Sequence, residues 1–287
     1  MKKNLAKKII TTMLGLAMCV SVYAGDNSIY VDQSGNNATV TITQDGAGNV
    51  MRGIQGTGSG NTTPANIYGN NNTVVVDQVG TGNMLNFGIN TAVASGVTGG
   101  NSYSYTVTGN NNVGTIDSNN NGAGSSASNS VSITQTGNTD IANINVLGSA
   151  NSVSATMSGG NSNAIYSTAN GNNNSQSVTV TGGGSNTVTI NQGVGSTAAN
   201  NTSLNLGTAG ATSSNYNGSA TVTIAGASNT VSLQQNSVSG YSDTTVLALN
   251  GSGNTASITQ SASAGNTTVN IQSTGSNNTF NIVSKTH

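Results

Sequence analysis

The stretch NTASITQ, Asn254 to Gln260, decides the fold. Its apolar residues, Ala256 and Ile258, fall at alternate positions. Asn254 and Gln260 continue the same alternation on either side. A period of two is that of a β-strand, so Asn, Ala, Ile and Gln share one face and Thr and Ser the other. A helix would need a period near 3.6 and would not tolerate the surrounding Gly and Asn. The wider segment GNTASITQSASAGNTTVNIQSTGSNNTFNIV (Gly253 to Val283) holds three such runs, each preceded by Gly-Asn or Asn-Asn.

The seven-residue template recurs along the chain. NTVVVDQ supplies Asn72, Val74, Val76 and Gln78, and NSVSITQ supplies Asn129, Val131, Ile133 and Gln135. NTVTINQ supplies Asn186, Val188, Ile190 and Gln192, and NTVSLQQ supplies Asn229, Val231, Leu233 and Gln235. With Asn254, Ala256, Ile258 and Gln260, the pattern is N-x-[VA]-x-[ILV]-x-Q. β-Branched residues suit a pleated backbone. The intervening TGGGSN, AGASN, GSGN and SAGN bring Gly and Asn, which adopt positive φ in tight turns. A second set of strands lies between the first, as in TVNIQ (Thr268 to Gln272), SLNLG (Ser203 to Gly207) and TTVLALNG (Thr244 to Gly251).

Asn129 and Asn151 are 22 residues apart, Asn254 and Asn278 are 24, and Asn229 and Asn254 are 25. Self-similarity at such a period indicates a solenoid. The expectation is an all-β, amyloid-like β-solenoid over residues 25–287, with stacked strand-turn-strand repeats of about 22–25 residues and roughly eleven units. Longer loops are expected between Val79 and Asn129 and between Gly193 and Ala220, where strand positions stay open. Each strand then pairs with its equivalent ~4.8 Å away, and equivalent residues form columns. A lone buried amide costs a few kcal/mol when unpaired, whereas an Asn or Gln column bonds each amide to those above and below. Val and Ile columns give a thin, continuous dry core.

Composition agrees with a stack. Aromatics are 3% and Trp is absent, so large core-filling side chains are scarce. Charged residues are 5%, too few for charge-driven disorder. Residues 1–24 read as a secretory signal: Lys2, Lys3, Lys7 and Lys8, an apolar stretch, then Val22-Tyr23-Ala24 ahead of a cut after Ala24. The apolar run is shorter than the ~20 residues of a membrane span. LAMC, ending at Cys19, resembles a lipobox, but Met18 stands where that motif has a small residue. Arg52 and Lys285 against seven Asp leave the remainder at a net charge of −5. Nucleic-acid binding by phosphate neutralisation is therefore not expected.

Catalysis is not expected either. His287 is the single His and the last residue, Glu is absent, and the Asp residues are scattered. No paired carboxylates or metal-ligand spacing emerge. GTGSG (Gly56 to Gly60) lacks the Lys of a phosphate loop. No cofactor, metal or small-molecule substrate is implied. Asp45, Asp77, Asp117, Asp140 and Asp243 read either as sparse charges that discourage uncontrolled pairing or as ordinary turn Asp.

These residues resemble the curlin repeat, the unit of bacterial curli fibre subunits. QDGAGN (Gln44, Gly46, Gly48, Asn49) and QVGTGN (Gln78, Gly80, Gly82, Asn83) match its Q-x-G-x-G-N half, with Gly46, Gly48, Gly80 and Gly82 as turn glycines. QSGNNATVTITQ (Gln33 to Gln44) resembles a half-unit closed by a second Gln, and QTGN at Gln135 a shortened one. NSVSATMSG and NNTFNIV lack the Gln. The resemblance implies a secreted structural subunit that self-associates into extracellular amyloid fibres of a biofilm matrix and serves surface adhesion. It implies export through an outer-membrane pore and a curlin-type nucleator or major subunit as partner.

Two other readings stay open. A capped β-solenoid adhesin, or a fibre-like carbohydrate- or surface-binding protein, could use Tyr103, Tyr105, Tyr166, Tyr216 and Tyr241 as contacts. Thr39 to Thr43, Thr187 to Thr189 and Thr221 to Thr223 resemble the Thr rows of ice-binding solenoids, though irregularly.

Overall fold

A computed structural model describes residues 17–23, 26–54, 62–91, 100–120, 128–181, 186–192, 201–206, 217–224, 228–236, 242–249, 251–261 and 267–285. Among them every regular element is a strand. The first are β1 (Ala17–Tyr23), β2 (Ser28–Ile29), β3 (Val31–Ser34), β4 (Thr39–Ala47), β5 (Val50–Arg52), β6 (Ala65–Tyr68), β7 (Thr73–Thr81) and β8 (Met84–Thr91). Then come β9 (Ser102–Thr108), β10 (Val113–Asn120), β11 (Ser130–Asn138), β12 (Ile141–Leu147), β13 (Ser152–Asn161), β14 (Ala164–Asn170), β15 (Ser175–Thr181) and β16 (Thr187–Gln192). The last are β17 (Asn201–Leu206), β18 (Asn217–Ile224), β19 (Thr230–Asn236), β20 (Ser242–Leu249), β21 (Thr255–Ser261), β22 (Thr267–Ser273) and β23 (Thr279–Lys285).

From β7 onward each strand pairs with the next but one, so the chain alternates between two sheets. Sheet A runs β1-β4-β7-β9-β11-β13-β15-β17-β19-β21-β23. Sheet B runs β2-β5-β8-β10-β12-β14-β16-β18-β20-β22, with β3 and β6 beside that path. Every pairing is parallel. This is a β-solenoid whose rung is one strand of each sheet. Sheet A has eleven strands, the first of which lies inside residues 1–24.

Rung length varies more than the repeat spacing implies. Hydrogen-bonded equivalents are 22 residues apart at Asn129 and Asn151, 29 at Asn72 and Asn101, and 34 at Gln44 and Gln78. The added residues fall between strands, where loop length alters closure entropy only slowly. In the longest rung the insertion splits the sheet B strand. Val50–Arg52 pair with Met84–Asn86, while Asn66 and Ile67 pair with Gly88 and Ile89. Pro64, which has no N–H to give a ladder, sits just before β6.

The core lies between the sheets and is one side chain deep on each. Val74, Val76, Val131, Ile133, Val188, Ile190, Val231, Leu233, Ala256 and Ile258 are all buried, as the alternation requires. Phe87 of sheet B meets Tyr103 of sheet A edge to face, centroids 5.4 Å apart. Such pairs contribute ~0.5–1.5 kcal/mol beyond their buried area. Tyr103 and Tyr105 are therefore core residues, not surface contacts; each is 1% exposed. Of the Tyr residues proposed above as contacts, Tyr166 is 40% exposed, and Tyr216 and Tyr241 lie outside the described residues.

Candidate functional site: amide ladders at the corners and the end of the stack

The corners share a four-residue build: a glycine, a polar or small residue, a residue in the left-handed region, and an Asn. It recurs at 46–49, 69–72, 80–83, 109–112, 148–151, 171–174 and 275–278, with Asp140 closing 137–140 and Ala38 closing 35–38. The first glycine has φ between 108° and 141°, and the third residue has φ between 56° and 69°. A Cβ on Gly109 would lie 1.7 Å from the carbonyl oxygen of Gly137 one rung on, so only glycine lets the rungs approach. The expected turn glycines all have positive φ: Gly46 109°, Gly48 66°, Gly80 122° and Gly82 69°. At Gly253-Asn254 and Asn277-Asn278 the pair before the run is thus the left-handed residue followed by the ladder residue; Gly265-Asn266 lie outside the described residues.

Two buried Asn columns run along the stack. In the column entering sheet A, the Asn129 N–H donates to Asn101 Oδ1 (3.0 Å), and the Asn151 N–H donates to Asn129 Oδ1 (2.9 Å). The Asn174 N–H donates to Asn151 Oδ1 (2.9 Å). Further along, the Asn254 N–H donates to Asn229 Oδ1 (3.0 Å), and the Asn278 N–H donates to Asn254 Oδ1 (2.9 Å). Four Nδ2 groups donate to a corner carbonyl of the next rung: Asn129 to Gly148 (2.8 Å), Asn151 to Gly171 (2.8 Å), Asn229 to Gly251 (2.9 Å) and Asn254 to Gly275 (3.1 Å). Asn72 opens this series by accepting from Asn101 Nδ2 (3.0 Å). These bonds are mostly side chain to backbone, where amide-to-amide bonds were expected.

The column entering sheet B follows the same rule through Asn49, Asn83, Asn112, Asp140, Asn163 and Asn186. Asn186 therefore belongs to a different column from Asn72, Asn129, Asn229 and Asn254, although its heptad matches theirs. NTVTINQ is β16 of sheet B, and the other four heptads are strands of sheet A. Ser203–Leu206, grouped with the intervening strands, sits in sheet A as part of β17.

The Gln positions form no continuous column. Gln44 Nε2 donates to Gln78 Oε1 (2.6 Å), but the next residue in register with Gln78 is Val107. Gln135 stands between Val107 and Met157, and its Oε1 accepts from the Tyr105 hydroxyl (2.7 Å). Gln192 is in register with Ala169 and Ile224, and Gln235 with Gln260. The side chains of Gln192, Gln235 and Gln260 lie outside the described residues.

A second, exposed ladder at the corners has no counterpart in the heptad. It uses the second corner residue and runs in the opposite sense. The Asn110 N–H donates to Asn138 Oδ1 (2.8 Å), and the Ser149 N–H donates to Asn172 Oδ1 (2.8 Å) of the following rung. Aligning the chain on G-x-x-N instead of on Gln reveals it.

The carboxylates differ in setting. Asp45 is exposed, and Asp77 is partly exposed on the outer side of sheet A. Burial pushes Asp117 up from the ordinary carboxylate range. Asp140 is not a surface charge: it occupies a buried ladder position, and burial, partly offset by its bonds from Asn163, raises it to about 6. The side chain of Asp243 lies outside the described residues, as do Gly56 to Gly60 and His287. The Thr rows divide between the sheets, with Thr39–Thr43 in sheet A and Thr187, Thr189, Thr221 and Thr223 in sheet B. Among the described residues no three His, Cys, Asp or Glu gather where they could hold a metal ion. No family model matches the chain, and no curated protein matches it.

Proposed function

We propose that the chain is a curlin-like structural subunit, exported by its signal segment and polymerised outside the cell into amyloid fibres by addition at the ends of the stack. The observation that carries this reading is the end of sheet A. Among the described residues β23 pairs with β21 alone. One rung back, Ala256 and Ile258 are each 1% exposed, whereas Phe280 and Ile282, in register with them, are only partly covered. An edge strand with free N–H and C=O groups and uncovered apolar residues is a template for another strand. A second copy adds a rung in the register the stack already uses. The resemblance to curlin repeats supplies the remaining expectations: an outer-membrane pore for export and a nucleator or major subunit as partner.

Incubation of purified residues 25–287 with an amyloid dye at neutral pH, followed by fibre diffraction, tests the proposal. Growth after a lag, with a meridional spacing of ~4.7–4.8 Å, is expected. A β-rich chain that stays monomeric would overturn it and favour the adhesin.

A further inference from the structure

Asp140 stands where every described neighbour in its column has Asn. Asn49, Asn83 and Asn112 each give Nδ2 to a glycine carbonyl of the next rung, those of Gly80, Gly109 and Gly137, at 2.8–2.9 Å. Asp140 keeps the other half of the pattern. Its N–H donates to Asn112 Oδ1 (2.9 Å), and its Oδ1 accepts from the Asn163 N–H (2.8 Å) and Nδ2 (3.2 Å). Its Oδ2 replaces the donor and is buried without a partner. That oxygen lies 2.7 Å from where a Cβ on Gly137 would be, and the Gly160 carbonyl oxygen lies 2.0 Å from the same point. Two acceptors therefore converge where the neighbouring rungs have a donor and an acceptor.

Among the described residues no cation resolves this conflict. Between Arg52 and Lys285 the sequence has no Lys, Arg or His. The titratable groups on the surrounding strands are Tyr103 and Tyr105 of β9, Asp117 of β10 and Tyr166 of β14; β11, β12 and β13 have none. Burial holds the two β9 hydroxyls neutral, and the Tyr105 hydroxyl is engaged by Gln135.

We propose that Asp140 Oδ2 is a proton-binding site: protonated, it donates to the Gly160 carbonyl and completes the ladder as Asn would, and ionised it opens the stack at this rung. The inference concerns the fold and stands whether or not the chain polymerises. Its sign follows from the carboxyl being raised from 3.8 to about 6 in the folded chain. The folded state holds the proton more tightly, so the stabilisation is complete below about pH 4 and is lost as pH rises through about 6.

The test is urea unfolding of the purified chain from pH 4 to 8, followed by circular dichroism. A rise of about two pKa units predicts that the unfolding equilibrium constant increases about 100-fold across this window. Asp140→Asn should lose the greater part of that increase and be more stable than wild type at pH 7, while Asp117→Asn should retain the Asp140 step. Asn112→Asp, which places a second carboxylate in the same column, should deepen the loss toward high pH and keeps the test open if Asp140→Asn fails to fold. An unchanged pH profile in Asp140→Asn, or a flat one in wild type, overturns the proposal. So does restoration of wild-type stability at pH 8 by calcium or sodium ions, which would make this a metal-cation site.

Discussion

The two ends of a sheet A strand carry the same functional group and behave differently. At the corner, Asn offers its amide to the backbone of the next rung, and backbone is present whatever the next side chain is. At the far end, Gln makes its short bonds to polar side chains, Gln44 to Gln78 (2.6 Å) and Gln135 with Tyr105 (2.7 Å), and only long ones to backbone (3.4–3.5 Å), while the residues in register with Gln135 are Val107 on one side and Met157 on the other. The Asn columns therefore persist through rungs of unequal length, while the Gln column breaks without disturbing the stack. A ladder from side chain to backbone tolerates sequence drift; one from side chain to side chain does not.

Substitutions can break this contrast in graded ways. The largest effect is expected at the corner itself: Gly109→Ala has no room for its methyl and should abolish cooperative unfolding, seen as a lost circular dichroism transition. Asn129→Ala comes next. It strands the Asn151 N–H and the Gly148 carbonyl in the interior, and should lower stability by about 2–5 kcal/mol in urea unfolding. Gln135→Ala should lower it less, by about 1–3 kcal/mol, because it orphans the Tyr105 hydroxyl and otherwise gives up only a long bond (3.4 Å) to the Val113 carbonyl. If Gln135→Ala proves the worse of these two, the contrast between the positions is lost. Ala150→Gly should sharpen it from the other side. Ala150 has φ of 56°, a conformation that disfavours any Cβ by ~1–2 kcal/mol, so glycine should raise the melting temperature modestly. Ser154→Ala, on the exposed face of sheet A, should change stability by no more than about 0.5 kcal/mol.

Much of this architecture was legible in the heptad. Strict alternation marked the strands and their buried faces, because strand periodicity and burial follow directly from side-chain direction. Gly and Asn marked the corners, because few other residues accept a positive φ. What was not legible was which sheet a strand joins. Asn186 and Asn129 lie in matching heptads, yet their columns differ, since sheet membership depends on the parity of strands counted along the chain. Nor could composition separate Tyr103 and Tyr105 from surface tyrosines. Their places follow from register with Val74 and Val76, which a sequence with variable loops does not specify. The exposed Asn ladder was hidden for a simpler reason: alignment on Gln draws the eye away from the residue after each corner glycine.

The unequal rungs also give the stack a mechanical character. Its neighbours are joined by short bonds across one strand spacing, yet each joint conceals an entire turn of chain. Pulled along its axis, the molecule would yield one rung at a time. Opening a rung of 22 residues frees roughly 75 Å of extended backbone, and the 34-residue rung about 115 Å. Each loop that lengthens a turn is thus stored slack, released under load before the covalent chain itself is strained.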